Sequence, residues 1–334
     1  MATFRSAELN AVVIHNPAGL FRTTRRTGQK NSWSRFMVQS YEQNGERKPV
    51  LLIALGRQRV GKTVFLNTLA QYLKQKGARF EILNADLLNK THTLTLFHKD
   101  TVEAPSTHRE DMQAWLVAQF RRQMDERFDA ILDVGGGDTP LERLIEEYPI
   151  VSVLQDHGIR LVIAQVIGPD MADVDYLERF TERSTLMPDG MLIVFNGGLV
   201  LTGRSANVAF SEVAKHQAID TAVDQGAIIK VFPRLPCMQE VTDRHLTFLE
   251  VMNGEKGRGS QAFCPFDQAR VNRWWTVEVP EFFGGVPSEW LPAIPENGAA
   301  PMPAVVGNEP KASKKERKDA QKLAEVDSSE SLNG

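Results

Sequence analysis

The chain is poor in cysteine: Cys237 and Cys264 are the only two among 334 residues. They are too few and too isolated for a disulfide framework or a zinc site, and both are expected to be buried or inert thiols. Long apolar runs are missing as well. No stretch reaches the roughly 18 residues that mark a membrane span. The opening MATFRSAELNAVVIHNPAGLFRTTRR lacks the unbroken apolar segment of a secretory leader. These absences point to a soluble, cytoplasmic chain with no membrane partner. No internal repeat is visible, which excludes solenoid and propeller architectures.

Charge of one sign is also lacking, with a net value of only −3. The layout is uneven, however. Positions 1–48 hold eight Lys/Arg against three Asp/Glu, and positions 311–334 hold six against five, with KKERK at 314–318. That leaves 25 basic against 34 acidic residues in the body between them. An acidic body with basic ends touches a polyanion through those ends or through a local patch. Arg22, Arg25, Arg26 and Lys30 at one end and the KKERK run at the other are the candidates for nonspecific DNA contact; solvated tail charge is the plainer alternative.

What is present begins at Pro49. VLLIAL is a short buried strand; TVFLNTLAQYLKQKG has helical spacing and closes on Gly77. RFEILNAD, DAILDVGGGD, IRLVIAQVIG, GMLIVFNGG and AIIKVFPRLP read as further strands. HREDMQAWLVAQFRRQMDERF, MADVDYLERFTERS and SEVAKHQAIDTAVDQG read as helices between them. Strands that alternate with helices and lack strict polar alternation predict an α/β fold with a doubly wound, mostly parallel sheet. Residues 1–48 form a basic extension, 49–291 the folded domain, and 292–334 a Pro/Ala-rich linker and charged tail. The aromatic stretch VNRWWTVEVPEFFGGVPSEWLP is expected either to pack on the domain or to dock a protein partner.

Between the first strand and helix lies GRQRVGKT, which satisfies the P-loop pattern G-x-x-x-x-G-K-[ST]. Gly56 and Gly61 let successive backbone N–H groups face phosphates, and the following helix adds its positive end. Arg59, Val60, Gly61, Lys62, Thr63 and Val64 would line the phosphates, with Lys62 along the β/γ-phosphates and Thr63 on Mg²⁺. Asp133 closes a strand before the VGGGD turn, so it can hold Mg²⁺ through a water while Gly135 approaches the γ-phosphate; a strand-capping Asp is the alternative. Asp86 also ends a strand and can orient water or support the metal from behind, or be an ordinary helix N-cap.

These residues resemble the ParA/MinD-type ATPases of the SIMIBI class, P-loop proteins that position DNA or other cargo. The resemblance spans about residues 49–250. It rests on the strand, P-loop and helix, on ILNAD, on FDAILDVGGGD, on MLIVFN and on VFPRLP. It implies Mg-ATP binding, slow hydrolysis, an ATP-dependent homodimer and a role in plasmid or chromosome partition or conjugative transfer. It nominates Asn196 for base contact and the loop with Pro233 as flanking the base. Asn196 is followed by GGL and not by the guanine-reading N-K-x-D pattern, so adenine is favoured. The family has K-G-G-x-G-K-[ST], whereas here Arg57 stands at the signature lysine and Gln58 and Arg59 at the two glycines. Arg57 can therefore act on the partner subunit's nucleotide, or the bulkier loop weakens that dimer. Two rivals remain. One is a small-molecule kinase or ligase whose lid would come from residues 88–110, where His92, His98 and His108 read as solvated loop residues; the other is a nucleotide-gated adaptor.

Overall fold

The computed structural model describes residues 47–88, 93–135, 140–181 and 187–295. The N-terminal extension up to residue 46, the tail from 296 and most of the VGGGD turn (136–139) lie outside them.

Seven strands form one sheet in the order β3-β2-β4-β1-β5-β6-β7, every neighbouring pair parallel. They are β1 (Val50–Leu55), β2 (Glu81–Asn84), β3 (Val102–Glu103), β4 (Ala130–Asp133), β5 (Arg160–Ile167), β6 (Gly190–Asn196) and β7 (Ile228–Phe232). The expected doubly wound α/β class is the one observed, and its sheet is wholly parallel. The two-residue β3 is an addition; a strand that short leaves no periodicity to read.

β1 is buried along its whole length because its alternate residues serve different layers. Val50, Leu52 and Ala54 face α1 (Lys62–Gln75), and Leu51, Ile53 and Leu55 face α2 (Arg109–Glu126), α3 (Pro140–Glu147) and α4 (Ile150–Asp156). Beyond β5 that second face is covered by α5 (Met171–Thr181) and α7 (Gln217–Asp224), which follows the single turn α6 (Ala206–Ala209).

The first face is completed by the C-terminal segment. After α8 (Met238–Asp243) and α9 (Phe248–Met252), α10 (Pro265–Arg273) runs through a π-helical stretch, Trp274–Glu278, into α11 (Val279–Gly284). Pro280 has no N–H to return to the preceding turn, and the helix widens just before it. Trp274, Trp275, Phe282, Phe283 and Trp290 are all buried with Phe65, Phe232 and Phe248. The aromatic segment is therefore core. A partner docking on it would meet Val277, the large apolar side chain it leaves exposed, and not these rings.

The two thiols differ from expectation in part. Cys237 is half-buried, and burial pushes its thiol up to about 11. Cys264 is exposed and caps α10, accepting the Asp267 N–H at 3.4 Å and donating to its carboxylate at 3.0 Å.

Buried polar side chains tie distant segments to this frame. Asp129 accepts the N–H groups of Val50 at 2.7 Å and Ala293 at 2.8 Å and pairs with Arg47 at 2.8 Å, so one carboxylate holds both ends of the described chain. On α1, Asn67 Oδ1 accepts from Gln71 and from His98 Nε2, both at 3.0 Å, while Gln71 Oε1 accepts the Phe248 N–H at 3.0 Å. His98 is thus buried, at 4% exposure, and is not the solvated loop residue its sequence neighbourhood suggested. His108 is exposed, and His92 lies outside the described residues.

Burial, and next the Lys74 ammonium beside it, push His98 down from 6.5 to about 4. The unfolded chain then takes up a proton that the folded chain refuses, so this contribution is full above the unfolded pKa and lost as pH falls through it. Unfolding free energy should drop by on the order of 3 kcal/mol between pH 7 and 4 through this residue. Urea titrations of wild type and His98→Gln across that range check it: the variant should show a shallower pH slope, and identical slopes would refute a neutral buried imidazole.

Candidate functional site

The loop between β1 and α1 turns on two glycines. Gly56 has φ 141°, and a Cβ there would lie 2.4 Å from the Val166 carbonyl oxygen; Gly61 has φ 95°, and its Cβ would lie 2.4 Å from Asn196 Nδ2. Both positions exclude a side chain by backbone angle and by space. Arg59 also adopts a left-handed backbone, φ 64°. The loop thus keeps a glycine-like conformation where the resembled family has glycine, but carries an arginine through it. The N-cap of α1 makes no side-chain hydrogen bond, and its first turn holds no acidic residue. Its first amides and the positive end of its dipole therefore remain available to an anion.

Lys62 is buried and folds back on its own loop, donating to the carbonyls of Gly56 and Arg57 at 3.1 Å each. Burial lowers its pKa, and the carboxylates of Asp133 and Asp86 oppose that shift. These two carboxylates and the lysine therefore share one field. Asp133 is 1% exposed and its pKa is pushed up to about 7, mainly by burial; the Thr63 hydroxyl bonds it and acts in the opposite sense, and Asp86 adds to the rise. Among the described residues its Oδ1 has no hydrogen-bond partner. A buried carboxylate with an unmatched oxygen beside a threonine hydroxyl fits a hard, oxygen-seeking divalent cation such as Mg²⁺.

No helix starts at Asp86 among the described residues, so it is not a helix N-cap there. Its N–H donates to Asn84 Oδ1 at 3.1 Å, and its carboxylate lies 3.6 Å from where a Gly135 Cβ would stand. The strand register explains the grouping: Asn84 pairs with Asp133, which pairs with Ala54, so the ends of β2, β4 and β1 are level.

The residues nominated on the other side converge through internal bonds. Asn196 donates to the Val60 carbonyl at 2.7 Å and accepts the Gly198 N–H at 2.9 Å, so in this arrangement its amide ties β6 to the loop. Pro233 offers its carbonyl to Trp274 Nε1 at 3.1 Å, which anchors the loop after β7 to the aromatic core. Arg57 is bound within the chain: it pairs with Asp173 at 2.9 Å and approaches Asp170 at 3.7 Å. Asp173 is nearly buried and also accepts the Gly168 N–H at 2.9 Å. Val64, in the first turn of α1, is half-buried against the aromatic cluster. Asp173 and Asn84 carried no signal in the sequence; the first looks like any acid in a helix's opening turn, the second like any strand-end amide.

No family model and no curated protein matches the chain. Among solved structures it is similar to the chloroplast FtsY of Physcomitrella patens, at 21% identity over 52% of this chain, with a TM-score of 0.35. It spans 57% of that protein's length. The signal recognition particle receptor FtsY of Elizabethkingia anophelis in complex with GDP is 13% identical, covering 81% of this chain and 71% of its own, with a TM-score of 0.37. A variant of McdA from Cyanothece in complex with ATP is 14% identical over 72% of this chain and 98% of its own, with a TM-score of 0.40.

A left-handed conformation costs a non-glycine residue about 1 kcal/mol or more. Arg59→Gly should therefore raise unfolding stability by about 1 kcal/mol. Denaturant midpoints of the two proteins check this, and a loss of stability would show that the Arg59 side chain holds the loop.

Proposed function

We propose that this chain binds Mg-ATP at the loop Gly56–Thr63, hydrolyses it slowly and acts as a nucleotide-controlled switch of the ParA/MinD type in DNA partition or conjugative transfer. The observation that carries the reading is the convergence of Lys62, Thr63, Asp133 and Asp86 on the uncapped start of α1. In this reading Lys62 exchanges two loop carbonyls for phosphate oxygens, which favour its charged form more than the carbonyls do. Thr63 and Asp133 would hold Mg²⁺, which supplies charge neutralisation at the terminal phosphates. Asp86, beside Gly135, positions water for attack on the γ-phosphate.

In this reading Thr63 and Asp133 would hold the metal and terminal phosphate near the ends of β4 and β2, which would leave the base to the ends of β6 and β7. Asn196 and Pro233 stand there, and the site accepts adenine in this reading. Arg57 has two possible engagements, Asp173 within its own subunit or a phosphate of a second subunit, and exchange between them would couple nucleotide state to self-association. The lid required by a kinase finds less support: the segment 93–101 is stitched down through His98, and through Thr93, which accepts from Asn84 at 2.9 Å.

Binding of a fluorescent ATP analogue with Mg²⁺, followed by mass in solution, tests this. Lys62→Ala should weaken binding by ~100-fold, the loss of charge-assisted bonds to phosphate. Arg57→Ala should leave binding within about threefold and lower ATP-dependent dimerisation or turnover. Wild type that fails to bind Mg-ATP ends the proposal, and an Arg57→Ala protein unchanged in both assembly and turnover ends the role in trans.

A further inference from the structure

Asp86, the acid that the proposed hydrolysis uses, is reached from β2 through Asn84, a residue to which nucleotide binding gives no part. Asn84 is the last residue of β2 and is 1% exposed. In register it stands between Asp133 of β4 and Glu103 of β3. Its surroundings fix the backbone from both sides. The Asn84 carbonyl accepts the Ala104 N–H at 3.0 Å, and the next amide, that of Ala85, donates to the Asp133 carbonyl at 2.8 Å.

The side chain is matched at both ends. Oδ1 accepts the Asp86 N–H at 3.1 Å, the two-residue bond of an Asx turn. Nδ2 donates to Thr93 Oγ1 at 2.9 Å and to Glu103 Oε1 at 3.1 Å, and Glu103 also accepts from the Thr95 hydroxyl. A buried amide whose oxygen and nitrogen are both engaged keeps one orientation, so the turn keeps one shape. That turn takes the chain off the sheet at the end of β2 and sets the Asp86 carboxylate against Gly135, 3.6 Å from where a Cβ would stand. The segment holding Thr93 is itself fastened to α1, where His98 meets Asn67 at 3.0 Å. A path of bonds therefore joins the helix that begins at the phosphate loop to the backbone of Asp86.

We propose that Asn84 is a positioning residue for ATP hydrolysis: its amide sets where the Asp86 carboxylate stands relative to the start of α1. This rests on the Mg-ATP reading, with Asp86 orienting the attacking water. In that step the water oxygen bonds to the γ-phosphorus, and the bond to the β–γ bridging oxygen breaks with its electron pair leaving on ADP. One water proton stays on the released phosphate and the other goes to solvent. Asn84 touches none of these atoms. Its loss displaces Asp86 and leaves the contacts of the loop Gly56–Thr63 as they are, so it acts on the rate and not on affinity. A displacement of ~1 Å costs on the order of 100-fold in rate.

Three measurements on the full-length protein test this: single-turnover hydrolysis of Mg-ATP, binding of the fluorescent ATP analogue with Mg²⁺, and amide hydrogen exchange without ligand. Asn84→Leu, similar in size but unable to make these bonds, should slow hydrolysis by about 10- to 100-fold. Its affinity for the analogue should stay within about threefold of wild type. Exchange at the Asp86 amide should quicken by about tenfold or more. Asn84→Asp combined with Glu103→Gln trades donor for acceptor across the pair and keeps an oxygen for the Asp86 N–H. That double variant should hydrolyse within about threefold of wild type. The proposal is overturned if Asn84→Leu hydrolyses as fast as wild type, if its affinity falls in step with its rate, if Asp86 exchange is unchanged, or if the double variant is as slow as Asn84→Leu. Wild type that binds Mg-ATP without hydrolysing it ends this proposal and leaves the binding reading standing; wild type that does not bind ends both.

Discussion

The start of α1 has to stay uncapped and fixed at the carboxyl edge of the sheet, and most of the molecule serves that constraint. Ten of the 14 residues of α1 are buried, so the helix cannot tilt without opening the larger core cluster. Its apolar side meets β1, β5 and the aromatic rings of the C-terminal segment, where Phe65 contacts Phe232, Phe282 and Phe283 edge-on or tilted. Its later turns are bound through Asn67, Gln71 and Lys74 to elements far away in sequence. A helix end held this firmly presents its amides without the entropic cost of ordering them when an anion arrives.

The loop ahead of that helix is ordered by its own residues. Lys62 rests on two carbonyls, Asn196 holds the Val60 carbonyl and Arg57 is clasped by Asp173. A phosphate ligand would not meet an empty cradle; it would trade against existing bonds. Such an exchange would make the response to ligand a difference between two sets of contacts, which is what the proposed switch requires. The π-helical stretch and its tryptophans enter the same circuit, because Trp274 holds the Pro233 carbonyl on the loop that closes the site beyond β7.

A parallel sheet gives its two edges different chemistry. At the carboxyl edge, acids at strand ends and the helix start gather around one lysine; at the amino edge, the chain enters two adjacent strands through the Arg-Phe-acid triplets Arg79-Phe80-Glu81 and Arg127-Phe128-Asp129. Asp129 at that second edge fastens both ends of the described chain, through part-buried bonds to Arg47 and the Ala293 N–H beside a buried one to the Val50 N–H.

Sequence alone determined the six longer strands, the helices α1, α2, α5 and α7 between them, a mostly parallel sheet, and the glycine-lysine-threonine loop with Asp133 and Asp86 at strand ends. Each of these is a local pattern: apolar runs between turn residues, or a fixed spacing of residue types within one loop. It did not reveal that Asp173 clasps Arg57, that His98 is buried, that Asn196 binds the loop, or that the tryptophans lie inside a helix widened ahead of Pro280. Those depend on which segments meet after the strands are ordered as β3-β2-β4-β1-β5-β6-β7. Arg57 and Asp173 are 116 positions apart, and Asn196 and Val60 are 136 apart. No periodicity reaches across such separations; only packing brings the partners within hydrogen-bonding distance.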